Sequence, residues 1–266
     1  MKLLVVSSAA ALCLSTSSVI AAPLIVNTTL SGISSQFDAV IAATGSTVVT
    51  AQVVNGVNVY SYIDKDGNLA TVTVTRPNGT AALPSGGYSS GGNSLSGSVW
   101  GINPSAGAGD VIPGFNSGLT FTFSSPVNAF GFEVGDWATC CMTNTRPPAI
   151  QSTYGVPATG SGLWIAFDGG AATLPANALS STDNPGFDDE SSFTNFIGAI
   201  DDTGFFSTVT FFGDGFGEFL VAGGTLRFAS VPEGSVNPTI PVPEPTMLAL
   251  VGLTTLSGIL RRRRSR

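Results

Sequence analysis

The stretch Leu119-Thr-Phe-Thr-Phe-Ser-Ser-Pro-Val-Asn-Ala-Phe-Gly-Phe-Glu-Val-Gly135 decides the fold. Leu119, Phe121 and Phe123 fall two residues apart, and Phe130, Phe132 and Val134 repeat that spacing beyond Pro126. In an extended chain successive side chains point to opposite faces, so each half of the stretch presents one large apolar face. Pro126 reads as the turn between the halves. The same phase returns at Leu163, Ile165 and Phe167, at Val209 and Phe211, and at Phe219, Val221, Leu226 and Phe228. Upstream, residues 47–54, 57–63 and 69–75 are rich in Val, Tyr and Thr and read as strands. So many one-sided strands need a second sheet about 10 Å away to cover them. The fold class that follows is all-β, a β-sandwich of jelly-roll type.

Composition agrees. The 266 residues include 33 Gly, 16 Pro and 17 Phe, with only 10% charged, which suits short strands joined by many turns. One stretch has helical character, residues 34–44, with Ser35 as its N-cap and Gly45 as its stop. Residues 84–118 are dense in Gly, Ser and Pro and read as a long surface excursion within a single domain spanning 22–236.

There is no histidine, which removes the commonest general base, the imidazole metal ligand and the ordinary catalytic triad together. Over residues 23–242 only Lys65, Arg76, Arg146 and Arg227 stand against sixteen carboxylates. Such a surface cannot displace the counterions of a phosphate backbone, so nucleic acid is excluded as a partner.

The two ends are of another kind. Lys2, the apolar run from Leu3 to Leu14 and the small residues Val19, Ala21 and Ala22 have the layout of a secretory signal peptide, residues 1–21, cut after Ala21. A lipoprotein at Cys13 is disfavoured by Leu12 before it. At the other end a linker, 237–242, leads to Pro243-Glu244-Pro245, an apolar segment 246–260, and Arg261-Arg262-Arg263-Arg264. Fifteen helical residues reach about 22 Å, short of the roughly 30 Å hydrocarbon core. This transmembrane helix therefore spans a thinned bilayer, its arginines snorkelling to the cytoplasmic face and leaving the body outside the cytoplasm.

Pro243, Glu244 and Pro245, the short apolar helix and the arginines Arg261, Arg262, Arg263 and Arg264 together resemble the PEP-CTERM sorting signal of Gram-negative bacteria, residues 243–266. The resemblance implies an exosortase, a membrane cysteine transpeptidase-like enzyme, as partner. It also implies export across the inner membrane and, through the family's link to exopolysaccharide, a destination at the cell surface or in a biofilm matrix. A plain membrane anchor with an incidental Pro-Glu-Pro is the simpler alternative. Phe130-Gly-Phe-Glu-Val-Gly-Asp136, Phe167-Asp-Gly-Gly170 and the segment from Phe196 to Phe212 resemble a β-sandwich that recurs among such proteins. That body often has paired acids before its last strand, whereas this chain has Glu218-Phe219-Leu220-Val221.

Within the body, Asp64, Asp66 and Asn68 alternate oxygen side chains around Gly67 like the first half of a calcium loop, but Thr75 stands where a closing glutamate belongs. A hairpin turn fits this stretch better. Asp183, Asp188, Asp189, Glu190, Asp201 and Asp202 read as a solvated acidic loop, with calcium chelation as the alternative. Glu133, Asp136 and Asp168 invite a glycosidase reading, which needs two carboxylates facing across a cleft. Alternation points Glu133 away from the Phe130 and Phe132 face, and Asp136 and Asp168 each fall at a strand end beside Gly, which favours turn and edge roles. Cys140 and Cys141 leave open a strained bond between neighbours, an intermolecular bridge or two small buried thiols. Trp100, Trp137, Trp164, Tyr88 and Tyr154 are candidates for sugar stacking, with packing favoured; alternation sets Trp164 opposite Leu163 and Ile165, toward the outside. The sequence thus points to a non-catalytic exported protein that needs no cofactor and is adhesive or polysaccharide-associated. The alternative is a secreted carbohydrate-active hydrolase working with carboxylates alone.

Overall fold

The computed structural model describes residues 24–29, 34–90, 93–95, 97–102, 118–135, 148, 151–152, 158–159, 161–170, 173–178, 193, 195–213 and 220–236. Along the chain these form β1 (Leu24–Thr29), α1 (Ser35–Ala43), β2 (Val49–Gln52), β3 (Val59–Ile63), β4 (Leu69–Thr75), β5 (Tyr88–Ser90), β6 (Asn93–Leu95) and β7 (Val99–Ile102). They continue with β8 (Leu119–Val127), β9 (Ala129–Gly135), β10 (Ser161–Phe167), β11 (Thr173–Ala178), β12 (Asn195–Ile200), β13 (Phe206–Gly213) and β14 (Leu220–Ala229). One sheet runs β1-β12-β9-β14-β2, with β7 also on β14, and the other runs β11-β10-β13-β8-β4-β3. All neighbours are antiparallel. The two packed sheets make a sandwich, and β5 and β6 form a separate small hairpin.

The core lies where the one-sided phenylalanines placed it. Phe121 of one sheet meets Phe130 and Phe132 of the other at ring separations of 4.8 and 5.2 Å, and Tyr62 stacks on Phe228 at 4.9 Å. Tilted and edge contacts at such distances are the arrangements that the ring quadrupole favours. The outer face of the first sheet is covered as well. α1 lays Phe37, Val40 and Ile41 over Ala129, Phe196, Ile200 and Ala229. Gly131 and Gly198 make this approach feasible: a Cβ on Gly198 would lie 2.8 Å from both Phe37 and Phe196. Burial on both faces explains why β12 shows no alternation, all six of its residues being buried.

β14 faces two partners in succession on one side. Leu220–Gly223 pairs with β7 and Thr225–Phe228 with β2, and the register against β9 shifts between Gly223 and Arg227. The break falls at Gly224, whose φ of 63° lies in the left-handed region, where a side chain would also overlap the Glu133 carboxylate.

Four sequence expectations change. Pro126 lies inside β8, exposed, and the chain turns at Asn128. The helix starts at Ser35 with Ser34 in the N-cap position, and the Ser34 side chain makes no capping bond. Residues 84–118 are not all excursion: β7 joins the first sheet with Trp100 and Ile102 fully buried, the Trp100 indole N–H donating to the Ala82 carbonyl at 2.9 Å. Trp164 does oppose Ile165, yet it is fully buried, stacked with Phe212 at 6.3 Å.

Candidate functional site at the carboxyl-terminal exit

After β14 the chain does not simply leave the body. The side chain of Asn128, itself buried, accepts from the Val231 N–H at 2.7 Å and donates to the Val231 carbonyl at 2.8 Å. One amide side chain thus pairs with one residue's backbone as a neighbouring strand would. The Asn128 carbonyl accepts in turn from the Asp201 N–H at 2.7 Å. Asp202 continues the clamp: its carbonyl accepts from Gly234 N–H at 2.9 Å and its carboxylate from Val236 N–H at 2.7 Å. Val231 is buried, and Val236 packs against the cluster under α1. Between Val236 and Pro243 stand six residues.

Beside this exit lies a charged group under α1. Arg227 Nε is 3.2 Å from Asp38, Arg227 Nη1 is 3.5 Å from Glu133, and the guanidinium sits 5.7 Å above the Phe196 ring. Glu133 also accepts from the Thr225 N–H at 3.1 Å. Burial pushes the Glu133 carboxyl above its ordinary value, with the Thr225 N–H and Arg227 opposing. Glu133 therefore points away from the Phe130 face, as alternation requires, but toward Arg227 rather than into a groove.

The other carboxylates in view are turn residues. Asp168, at φ 49°, follows β10 on the opposite sheet from Glu133 and accepts from Ser207 and Thr208 N–H at 2.8 and 2.9 Å. Asp64 closes the β3–β4 hairpin, one oxygen accepting from Asp66 and Asn68 N–H at 3.0 and 2.8 Å and the other from the Ser125 hydroxyl at 3.1 Å. These bonds, with the backbone of Asn68 leading, hold the Asp64 carboxyl below its ordinary value. Asp66 pairs with Lys65 at 2.8 Å. Asp201 accepts from Thr203 N–H and hydroxyl at 2.9 and 2.7 Å. Among the described residues no three His, Cys, Asp or Glu side chains gather as a metal would need. Tyr88 is half-buried in the β5–β6 hairpin beside Leu95 and Val99.

The rest of the expected set lies outside the described residues: Asp136, Trp137, Cys140, Cys141, Tyr154, Asp183, Asp188, Asp189 and Glu190, together with Pro243, Glu244, Pro245, Arg261, Arg262, Arg263 and Arg264. So do the expected signal peptide, residues 1–21, and the expected membrane segment 246–260, and among the described residues no helix is long and apolar enough to cross a membrane. Sequence reading missed the Asn128 clamp. Its signal was an Asn two residues past the proline read as the turn, and nothing local to it names a partner 103 residues away.

A β-sandwich whose last strand is clamped, then continues after a short spacer into a proline-flanked acid, an apolar segment and a cationic stop, is a body carrying a C-terminal sorting module. Residues 241–264 match the PEP-CTERM protein-sorting motif, so this chain carries that motif. Proteins bearing it are exported, processed by an exosortase and sorted to the cell surface. No curated protein and no solved structure matches the chain.

Proposed function

We propose that the protein is a non-catalytic surface or matrix component of a Gram-negative bacterium, with an adhesive or polysaccharide-associated body delivered by its C-terminal motif. The motif match over 241–264 carries the reading. Within that reading residues 1–21 are the signal peptide, 237–242 the linker and 246–260 a transient transmembrane helix ending at the arginines 261–264. Supporting the non-catalytic part, Glu133 and Asp168 lie on different sheets and are each engaged by backbone N–H groups. The jelly-roll form is supported by strand order. β7-β14-β9-β12 in one sheet and β8-β13-β10-β11 in the other is the pattern of eight strands wound as two Greek keys, with β1, β2, β3 and β4 added at the flanks.

The test is a glycan-array and matrix pull-down assay on residues 22–242, with product analysis of any bound polysaccharide. Binding without turnover is expected. Hydrolysis that disappears in Glu133→Gln or Asp136→Asn would establish the hydrolase instead.

A further inference from the structure

Both membrane-directed ends of the chain leave the sandwich at one end. Leu24 pairs with Ile200, Ile200 with Ala129 and Ala129 with Ala229, so the first residue of β1 and the last of β14 lie in one row across four adjacent strands. At a strand spacing near 4.8 Å the two points are about 14 Å apart. The Asn128 turn, the 201–205 loop and the clamped segment 231–236 build this end, and the β3–β4 turn belongs to it through the bond from Ser125 to Asp64. The turn at 76–80 is at the far end of β4, seven residues or roughly 23 Å away.

We infer that before processing the body stands on the bilayer with the Asn128–Asp202 end facing the lipid surface. The inference rests on the sorting reading of residues 241–264. Its quantitative part is reach. Asp202 holds Val236 in place, and the six residues from there to Pro243 can reach no further than about 20 Å. A folded body held that close cannot turn over, and an enzyme working at the bilayer surface must act in the gap beneath it. The length of the spacer, not its sequence, therefore governs access.

Three sets of full-length variants test this in the native cell, each scored as the fraction processed at the C-terminus. Deleting 237–240 leaves a spacer too short for the enzyme to engage, and processing falls about tenfold or more. Replacing 237–240 by Gly-Ser-Gly-Ser restores it. A small folded domain inserted between Asp66 and Gly67 obstructs the gap and lowers processing, whereas the same domain between Asn78 and Gly79 leaves it unchanged. Retention of the body's protease resistance confirms that each variant is folded. Normal processing after the deletion, failure of the Gly-Ser replacement, or equal effects of the two insertions would each overturn the inference. Replacement of Pro243, Glu244 and Pro245 by Ala separates the two readings: unchanged processing there would remove the sorting reading itself, while loss there with no effect of the spacer would remove only the orientation.

Discussion

Asn128→Ala is the sharpest test of how the exit is held. The substitution removes two hydrogen bonds, at 2.7 and 2.8 Å, and leaves the N–H and carbonyl of buried Val231 without those partners. A net hydrogen bond contributes about 1 kcal/mol, and an orphaned buried group costs about 1–3 kcal/mol, so the loss falls in a range of roughly 2–5 kcal/mol. For a body of this size that lowers Tm by roughly 6–12 °C at a loss of about 3 kcal/mol. Urea unfolding of the purified body gives the free energy and a thermal melt gives Tm. Asn78→Ala is the control. Asn78 Oδ1 accepts from Thr80 N–H at 3.0 Å in an exposed turn, and its loss should cost below about 1 kcal/mol. The unfolding slope should not change, because the clamp belongs to the folded state. If Asn128→Ala cost no more than Asn78→Ala, water or rearranged backbone would be serving Val231 as well as the amide does. The clamp would then be incidental to the exit.

Gly131→Ala should cost about 2 kcal/mol or more in the same urea assay, since its Cβ would overlap the Phe196 ring and come within 3.1 Å of Gly198 Cα; an unaffected midpoint would mean that α1 rides loosely on the sheet. Glu133 gives a pH signature: burial raises its pKa from 4.5, so the folded state keeps the proton to higher pH than the unfolded chain does. Its contribution is therefore fully present below 4.5 and is lost as pH rises through the folded value; stability of the wild type minus that of Glu133→Gln should decline across this window, and parallel curves would refute the shift. Arg227→Met leaves Glu133 buried without its cation and should destabilise by about 3 kcal/mol near neutral pH, with the deficit shrinking in acid as Glu133 protonates; a pH-independent deficit would assign the loss to packing on Phe196. Asp168→Ala should cost about 1–2 kcal/mol by freeing the Ser207 and Thr208 N–H groups, while Asp168→Asn, which keeps the acceptor, should cost less.

The first half of the opening stretch was legible because it faces the core on one side only, so burial writes a period of two into β8, where Leu119, Phe121 and Phe123 are buried and the residues between them are not. β9 is buried on both faces and kept its period only because Phe130, Phe132 and Val134 alternate with Ala129, Gly131 and Glu133. β7 and β12 were hidden for the opposite reason. Covered on both faces, Val-Trp-Gly-Ile and Asn-Phe-Ile-Gly-Ala-Ile carry no alternation, and β7 is also set among glycines and serines that suggest a loop. Trp164 shows the limit of the period itself, which gives the side of the sheet a residue occupies but not what lies over that side. Glu133 and Arg227 are 94 positions apart and nothing local links them; only the register of β14 on β9, shifted at Gly224, brings them together. The sorting motif was legible in full for a different reason. It is a linear string of residue types over 241–264, so its signal is written in order along the chain.

The two tethers differ in how the body resists them. β14 is an interior strand, bonded to β9 on one side and to β7 and β2 on the other, so a pull on residues 231–236 runs along its axis and loads those ladders together, with the Asn128 clamp first in line. Among the described residues β1 is an edge strand bonded only to β12, and it offers one ladder to a pull from its own end. A pull along either strand loads its ladders in shear, and β14 presents three ladders among the described residues where β1 presents one, so more hydrogen bonds resist the C-terminal pull. That asymmetry fits the order of events the two addresses imply. In the proposed reading the N-terminal segment is severed early and needs to hold the body only during export. In the same reading the C-terminal segment keeps a folded body at the membrane until the sorting enzyme arrives, and interior placement of the strand that leads to it lets that anchor be tugged without unravelling the sheet.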